Sequence, residues 1–170
     1  MIIWNRTIAR AEALATRLRQ DGLSAEATSD LDGATRLADM ITACTRSHEP
    51  LIRGKNLRVG VHLDLVGGYT PQTREADDEA ARRARIFVDR RESAFHGVGD
   101  ILQPIASGAI NEADILGDLY DLAGGATGRQ SAEDITLFKN AGGGHLDLMT
   151  CAVIVEQLGG KTAPAELQAP

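Results

Sequence analysis

Asn5-Arg6-Thr7 sets an amide, a guanidinium and a hydroxyl in succession directly after the apolar run Ile2-Ile3-Trp4. A guanidinium supplies planar, charge-assisted donors that suit a phosphate, and the flanking amide and hydroxyl add neutral ones. From Ile8 to Gln20 the residues Ile8, Ala11, Leu14, Ala15 and Leu18 fall on one helical face, so a helix follows at once and its first N–H groups would join the same anion site. In a dinucleotide-binding sheet, the end of the second strand meets the adenine ribose. A carboxylate there favours NAD, and an Arg accommodates the extra 2′-phosphate of NADP. This chain has no carboxylate at that point, so NADP is expected over NAD. A surface Arg at an ordinary strand-to-helix turn accounts for the same three residues equally well.

Other reactive residue types are scattered. His62 alternates with Val61 and Leu63 on a strand, as a hydrogen-bonded structural histidine does, and His48, His96 and His145 form no metal constellation. Glu75, Asp77, Asp78 and Glu79 read as a solvated helix face, and Lys139 either meets a phosphate or caps a strand end. The two cysteines, Cys44 and Cys151, sit in apolar segments without metal-ligand spacing, which predicts buried thiols and a cytoplasmic setting. The glycine clusters "GGATG" and "AGGGH" do not follow a strand and open a helix in the spacing that cradles a pyrophosphate. They read as loop and helix-entry glycines.

The elements that must carry these residues alternate. "MITACT", "RVGVHLDLVGG", "RIFVD" and "DITLFKN" read as strands, and "SAEAT" as a weak edge strand. Ser29-Asp30 caps a short helix through Leu37, Pro71 opens another, a loop follows Gly97, a helix surrounds "NEADILGDLYDLAGG", and "HLDLMTCAVIVEQLGG" is a final helix apolar enough to want cover on several sides. The fold class is therefore α/β with a mostly parallel sheet. With 170 residues, 43% of them hydrophobic, the chain has apolar matter for one core. A net charge of −6 argues against nucleic acid or an anionic membrane as partner, and no apolar run is long enough to span a bilayer.

Five blocks occur in an order that resembles the ornithine cyclodeaminase/μ-crystallin family: "IIWNRT", "ADMITACTRSHEPLI", "VGVHLDLVGGYTPQTREAD", "RIFVDRRESAFHGVGDIL" and "DITLFKNAGGGHLDL". That family includes alanine dehydrogenase and cyclic ketimine reductases. The resemblance implies that Asn5, Arg6 and Thr7 lie at the adenosine 2′-phosphate and Thr45 near the cofactor ribose. It places Asp64, Leu65, Val66 and Gly67 beside the nicotinamide, with Asn140 and Ala141 in the loop that closes over it. It assigns no catalytic residue and no metal to this chain. Cyclodeaminases of the family carry an aspartate two residues after the matching Val-Gly, where this chain has Tyr69. A phenol of pKa about 10 does not replace a carboxylate near neutrality. The parent reaction implied is reduction of a pyrroline- or piperideine-2-carboxylate by NADPH; ornithine cyclodeamination and a non-catalytic NADP-binding fragment are the alternatives.

The resemblance further implies a C-terminal part of a longer, homodimeric protein, with residues 1–158 as a partial Rossmann-like domain built on an incomplete, doubly wound, mostly parallel sheet and 159–170 as a tail. The first βα unit and the substrate/dimerisation domain would lie outside the chain. In strand order 3-2-1-4-5-6 the first strand is central, so "IIW" and "MITACT" would each face a gap. Unpaired backbone groups cost about 1–3 kcal/mol apiece, and a domain is stable by only about 5–15 kcal/mol. Alone, the chain is expected to lack reductase activity and to bind NADP weakly.

Overall fold

Every strand pairing is parallel, as strand–helix alternation requires, and the strands fall into two separate sheets. The computed structural model describes residues 1–158; the expected tail at 159–170 lies outside them. In chain order the elements are β1 (Ile2–Trp4), α1 (Ile8–Gln20), β2 (Glu26–Thr28), α2 (Leu31–Leu37), β3 (Met40–Ala43), β4 (His62–Leu65), α3 (Asp78–Arg83), β5 (Ala84–Val88), α4 (Arg91–Ala94), α5 (Gly99–Ala106), β6 (Ile115–Gly117), α6 (Leu119–Ala123), β7 (Ile135–Lys139) and α7 (Gly144–Gln157). The small sheet is β1-β2 and the large one β3-β4-β7-β5-β6.

The break falls between β1 and β3, where the sequence places a gap. The last strand departs from expectation: β7 enters between β4 and β5 instead of extending the sheet in chain order. Its run Ile135, Thr136, Leu137 and Lys139 is buried, which suits a strand flanked by others on both edges. Leu63, Leu65, Ile86, Val88 and Leu137 form the centre of the core, with Ile101 of α5 and Ile115 of β6 packed against it.

Local chemistry explains most boundaries. Asp30 accepts from Gly33 N at 2.8 Å and so starts α2, satisfying a helix-end donor. Residues 71–77 do not form the expected helix from Pro71. Thr70 and Thr73 close a turn on themselves, and Ala76 runs extended in a bridge to Ile52. The helix begins only at Asp78, with Asp77 capping Ala80 N at 2.9 Å. The expected loop after Gly97 is α5, whose Ile101 and Pro104 face the core. The expected helix over 111–125 is instead a capped turn at Glu112–Asp114, edge strand β6, and the short α6 capped by Asp118. Both cysteines are exposed rather than buried. Apolar neighbours imply burial only where both faces are covered, and the outer side of β3 and most of α7 are not. Leu148 of α7 is 72% exposed, for example.

His62 and Thr136 stand opposite each other on β4 and β7, and their side chains meet, Nδ1 to Oγ1, at 2.8 Å. Arg129 donates to the same Oγ1 at 3.0 Å. Burial lowers the His62 pKa first, Arg129 lowers it further, and Asp64 opposes both. Because the folded pKa lies below the unfolded one, acid favours the unfolded chain. Stability is therefore expected to fall as pH drops below about 6.5. His62→Gln should flatten that part of a urea-unfolding profile measured from pH 7.5 to 5; an unchanged slope would refute the assignment.

Candidate functional site

The carboxyl ends of β3, β4, β5 and β7 are tied to one another by three buried carboxylates. Glu75, fully buried, accepts from Thr45 N through one oxygen (2.5 Å) and from Gly67 N through the other (2.6 Å). It thus joins the loop after β3 to the loop after β4. A Cβ at Gly67 would run into Thr45 O and the Glu75 carboxylate, so only glycine permits this approach. Asp100, near the start of α5, accepts from Glu75 N (2.7 Å) and Ala76 N (3.2 Å), holding the segment that presents Glu75. Asp89, the residue after β5, accepts from Arg90 N, Ala141 N and Gly143 N, which fixes the loop after β7.

Lys139 resolves the choice between phosphate ligand and strand cap. Its ammonium is fully buried, donates to the Leu65 carbonyl at 3.1 Å and to Gly67 O, and lies 3.4 Å from Asp100 Oδ2. It caps the end of β4 from within. Burial raises the Asp100 pKa, outweighing Lys139 and the two backbone donors. Glu75, expected on a solvated face, is instead wholly interior; of that acidic group only Glu79 is exposed. The local sequence gave no signal for it, because its partners lie 8 and 30 residues away.

Facing this framework across the sheet break is a cavity of about 880 Å³. Asn5, Arg6, Thr7 and Thr45 all line it, so the structure brings these four candidates together. The Asn5 carboxamide accepts from Thr7 N at 2.9 Å, leaving its amide group outward. Thr7 is the N-cap of α1 but makes no side-chain cap bond, and α1 has no acid in its first turn. That 13-residue helix therefore presents its positive end beside Arg6. The Arg6 side chain is exposed and has no ion-pair or hydrogen-bond partner among the described residues. Arg10 and Arg46 line the same cavity, which also takes in Asp39, so arginines outnumber carboxylates in its lining.

The other six candidates lie outside that cavity, at the ends of β4 and β7. Asn140 N donates to the Leu65 carbonyl at 3.0 Å, which brings Asp64–Gly67 and Asn140–Ala141 side by side. Leu65 is wholly buried, whereas Val66 is 39% exposed. Glu75 is the link between the two groups, since it holds both Thr45 and Gly67. Cys44 opens on the cavity, but burial, Glu75 and Asp64 raise its pKa, so the thiol stays protonated near neutrality. Among the described residues no three His, Cys, Asp or Glu side chains assemble into a metal site, and no helix is long and apolar enough to cross a membrane.

Glu75→Gln turns one acceptor into a donor facing a buried N–H, and should cost about 1–3 kcal/mol of stability. Glu79→Gln, which disturbs only an exposed pair with Arg82, should cost almost nothing. Urea unfolding of both variants checks the contrast, and equal losses would remove Glu75 from its linking role.

The same architecture recurs in known proteins. The chain is 44% identical over 161 residues to the Δ1-pyrroline-2-carboxylate reductase of Paracoccus denitrificans, covering 93% of this chain and 50% of that protein. It is 32% identical to the ketimine reductase mu-crystallin of Mus musculus, covering 91% and 46%. The structure of Thermococcus litoralis Δ1-pyrroline-2-carboxylate reductase in complex with NADH and L-proline superposes with a TM-score of 0.87 at 29% identity, over 91% of this chain and 49% of that one. The chain thus spans about half the length of the curated relatives it matches. The model of the ornithine cyclodeaminase/mu-crystallin family matches residues 1–162, and the chain belongs to that family.

Proposed function

We propose that the chain forms the nicotinamide-dinucleotide-binding part of an NADPH-dependent reductase acting on a small cyclic imino acid, pyrroline-2-carboxylate or its six-membered counterpart. What supports this reading most is the meeting of Asn5, Arg6, Thr7 and Thr45 on one cavity at strand ends, with Arg6 unpaired and no carboxylate at the flanking positions 5 and 7. Such a rim fits a phosphate-bearing ribose. Arg6 would take the 2′-phosphate, with Thr7 and the open N–H groups of α1 assisting, and Thr45 would lie near the ribose. The ends of β4 and β7 would flank the nicotinamide, Asp64, Val66 and Gly67 on one side and Asn140 and Ala141 on the other. Leu65 would serve as a spacer, because its side chain is buried and its carbonyl already engaged.

Bound there, NADPH supplies a hydride to the C=N carbon of the imino acid. The chain's own residues position and enclose. Glu75 and Asp89 hold the loops that would border the nicotinamide, and Gly67 lets the backbone approach closely. Tyr69, 53% exposed after the left-handed Gly68, stands where cyclodeaminases of the family carry a carboxylate. The lack of that carboxylate favours reduction over ornithine cyclisation. The exposed apolar side chains of α7 favour packing on further protein, as a substrate domain and a homodimer would provide. The NADH bound to the Thermococcus reductase leaves the preference for NADP resting on Arg6.

Calorimetric titration of the chain with NADP+ and NAD+ tests the cofactor assignment. Arg6→Glu should weaken NADP+ binding about 10- to 100-fold, the worth of a charged hydrogen bond, and spare NAD+. Equal losses would refute the 2′-phosphate role. By itself the chain should not consume NADPH in the presence of pyrroline-2-carboxylate, and steady consumption would show that it needs no further protein.

A further inference from the structure

We infer that the strand-end rim selects the oxidised, cationic nicotinamide ring over the reduced, neutral one, with Asp64 setting the difference. The inference rests on the cofactor reading above and concerns which form of the cofactor binds more tightly. Asp64 alternates with Leu63 and Leu65 on β4, and both leucines belong to the core, so its side chain turns to the opposite face of the large sheet. Its register neighbours there are Thr42 on β3 and Phe138 on β7, neither of which carries charge. The Asp64 carboxylate is half-buried and has no hydrogen-bond or ion-pair partner among the described residues. Lys139 stands level with Leu65 and so lies on the core face. Its ammonium is already taken up by Asp100 and by the Leu65 and Gly67 carbonyls.

The surroundings deepen this imbalance. Glu75 and Asp89, both fully buried, hold their charge with backbone N–H groups and no cation. Asp100 has Lys139 beside it at 3.4 Å, yet its Oδ2 accepts no hydrogen bond and is turned toward Gly68, next to the Asp64–Gly67 stretch. The arginines of the adjoining segments do not restore the balance. Arg74, Arg90 and Arg91 are each engaged with a carboxylate, Asp78, Glu92 and Asp121 respectively, and Arg46 faces water. Cys44, just past β3, registers the outcome. After burial itself, Glu75 and then Asp64 raise its thiol pKa, and Lys139 offsets them only in part. A dihydropyridine ring is neutral, and giving up a hydride leaves it a pyridinium cation. A fixed negative field in a partly desolvated site favours that cation. Tighter binding of the oxidised form makes the bound reduced form a stronger hydride donor, as reduction of a C=N bond requires.

Equilibrium dialysis of the chain against NADP+ and NADPH at millimolar concentrations tests it. NADP+ should bind at least about tenfold more tightly, and Asp64→Asn should cut that ratio about 3- to 10-fold. Asp64→Glu keeps the charge and should keep most of the ratio. Glu112→Gln removes an equal charge from the turn before β6, at the far end of the parallel sheet, and should leave the ratio unchanged. That control separates the local field from net charge. A second readout needs no cofactor: in a Cys151→Ser background, Asp64→Asn should lower the pKa that governs alkylation of Cys44. Should the asparagine variant not fold, Asp64→Ser takes its place in both measurements. If neither nucleotide binds, the cofactor reading fails and the inference falls with it. If both bind, an unchanged ratio in Asp64→Asn, an unchanged Cys44 pKa, or an equal effect of Glu112→Gln would each overturn the inference alone.

Discussion

Two backbone N–H groups, from Thr45 and Gly67, converge on the carboxylate of Glu75, and the upper rim of the large sheet takes its shape from that contact. Strands in a parallel sheet are held along their length by the ladder, but the loops at their ends are not. A buried carboxylate is tolerated only when its oxygens are satisfied, and these two amides do so. The loops after β3 and β4 consequently cannot shift separately. Asp89 does the same for the loop after β7, and Asp100 secures the segment that carries Glu75. Lys139 completes the arrangement from below by taking up carbonyls at the end of β4. The rim is thus a set of interlocked main-chain positions, and glycine at 67 is the steric condition for it.

How much of this was readable follows a physical division. β1, α1, β4, β5 and β7 declare themselves by period and by β-branched runs, and Asp30 marks the start of α2 through chemistry confined to a few residues. The break in the sheet could be foreseen only through the family resemblance, because no residue of the chain marks a missing neighbour. α5 was hidden by Pro104 and the glycines before it, and β6 is three residues long, too short to show alternation. Glu75 was misread for a different reason. It sits among acidic neighbours that do face water, and only contacts with residues distant in sequence pull it inside. Arg6 could be singled out from its type and position, whereas Glu75, Asp89 and Asp100 became visible only once the strand ends were assembled.

The break also divides the candidate site. Arg6 and Thr7 belong to the small sheet, while Thr45, Gly67 and Asn140 belong to the large one. Their separation is fixed through α2 and its neighbours, such as the Arg36–Asn56 hydrogen bond, rather than through a shared ladder. Whatever spans the cavity would therefore set the distance between the two groups of candidate residues.

α7 adds a consequence of another kind. Leu148, Met149, Val153, Ile154 and Val155 lie more than half exposed on one helix, an oily surface with nothing laid over it. Such surfaces draw holdase chaperones and promote clumping when polypeptides are crowded during synthesis. In the isolated chain, that helix is where copies would first adhere to one another.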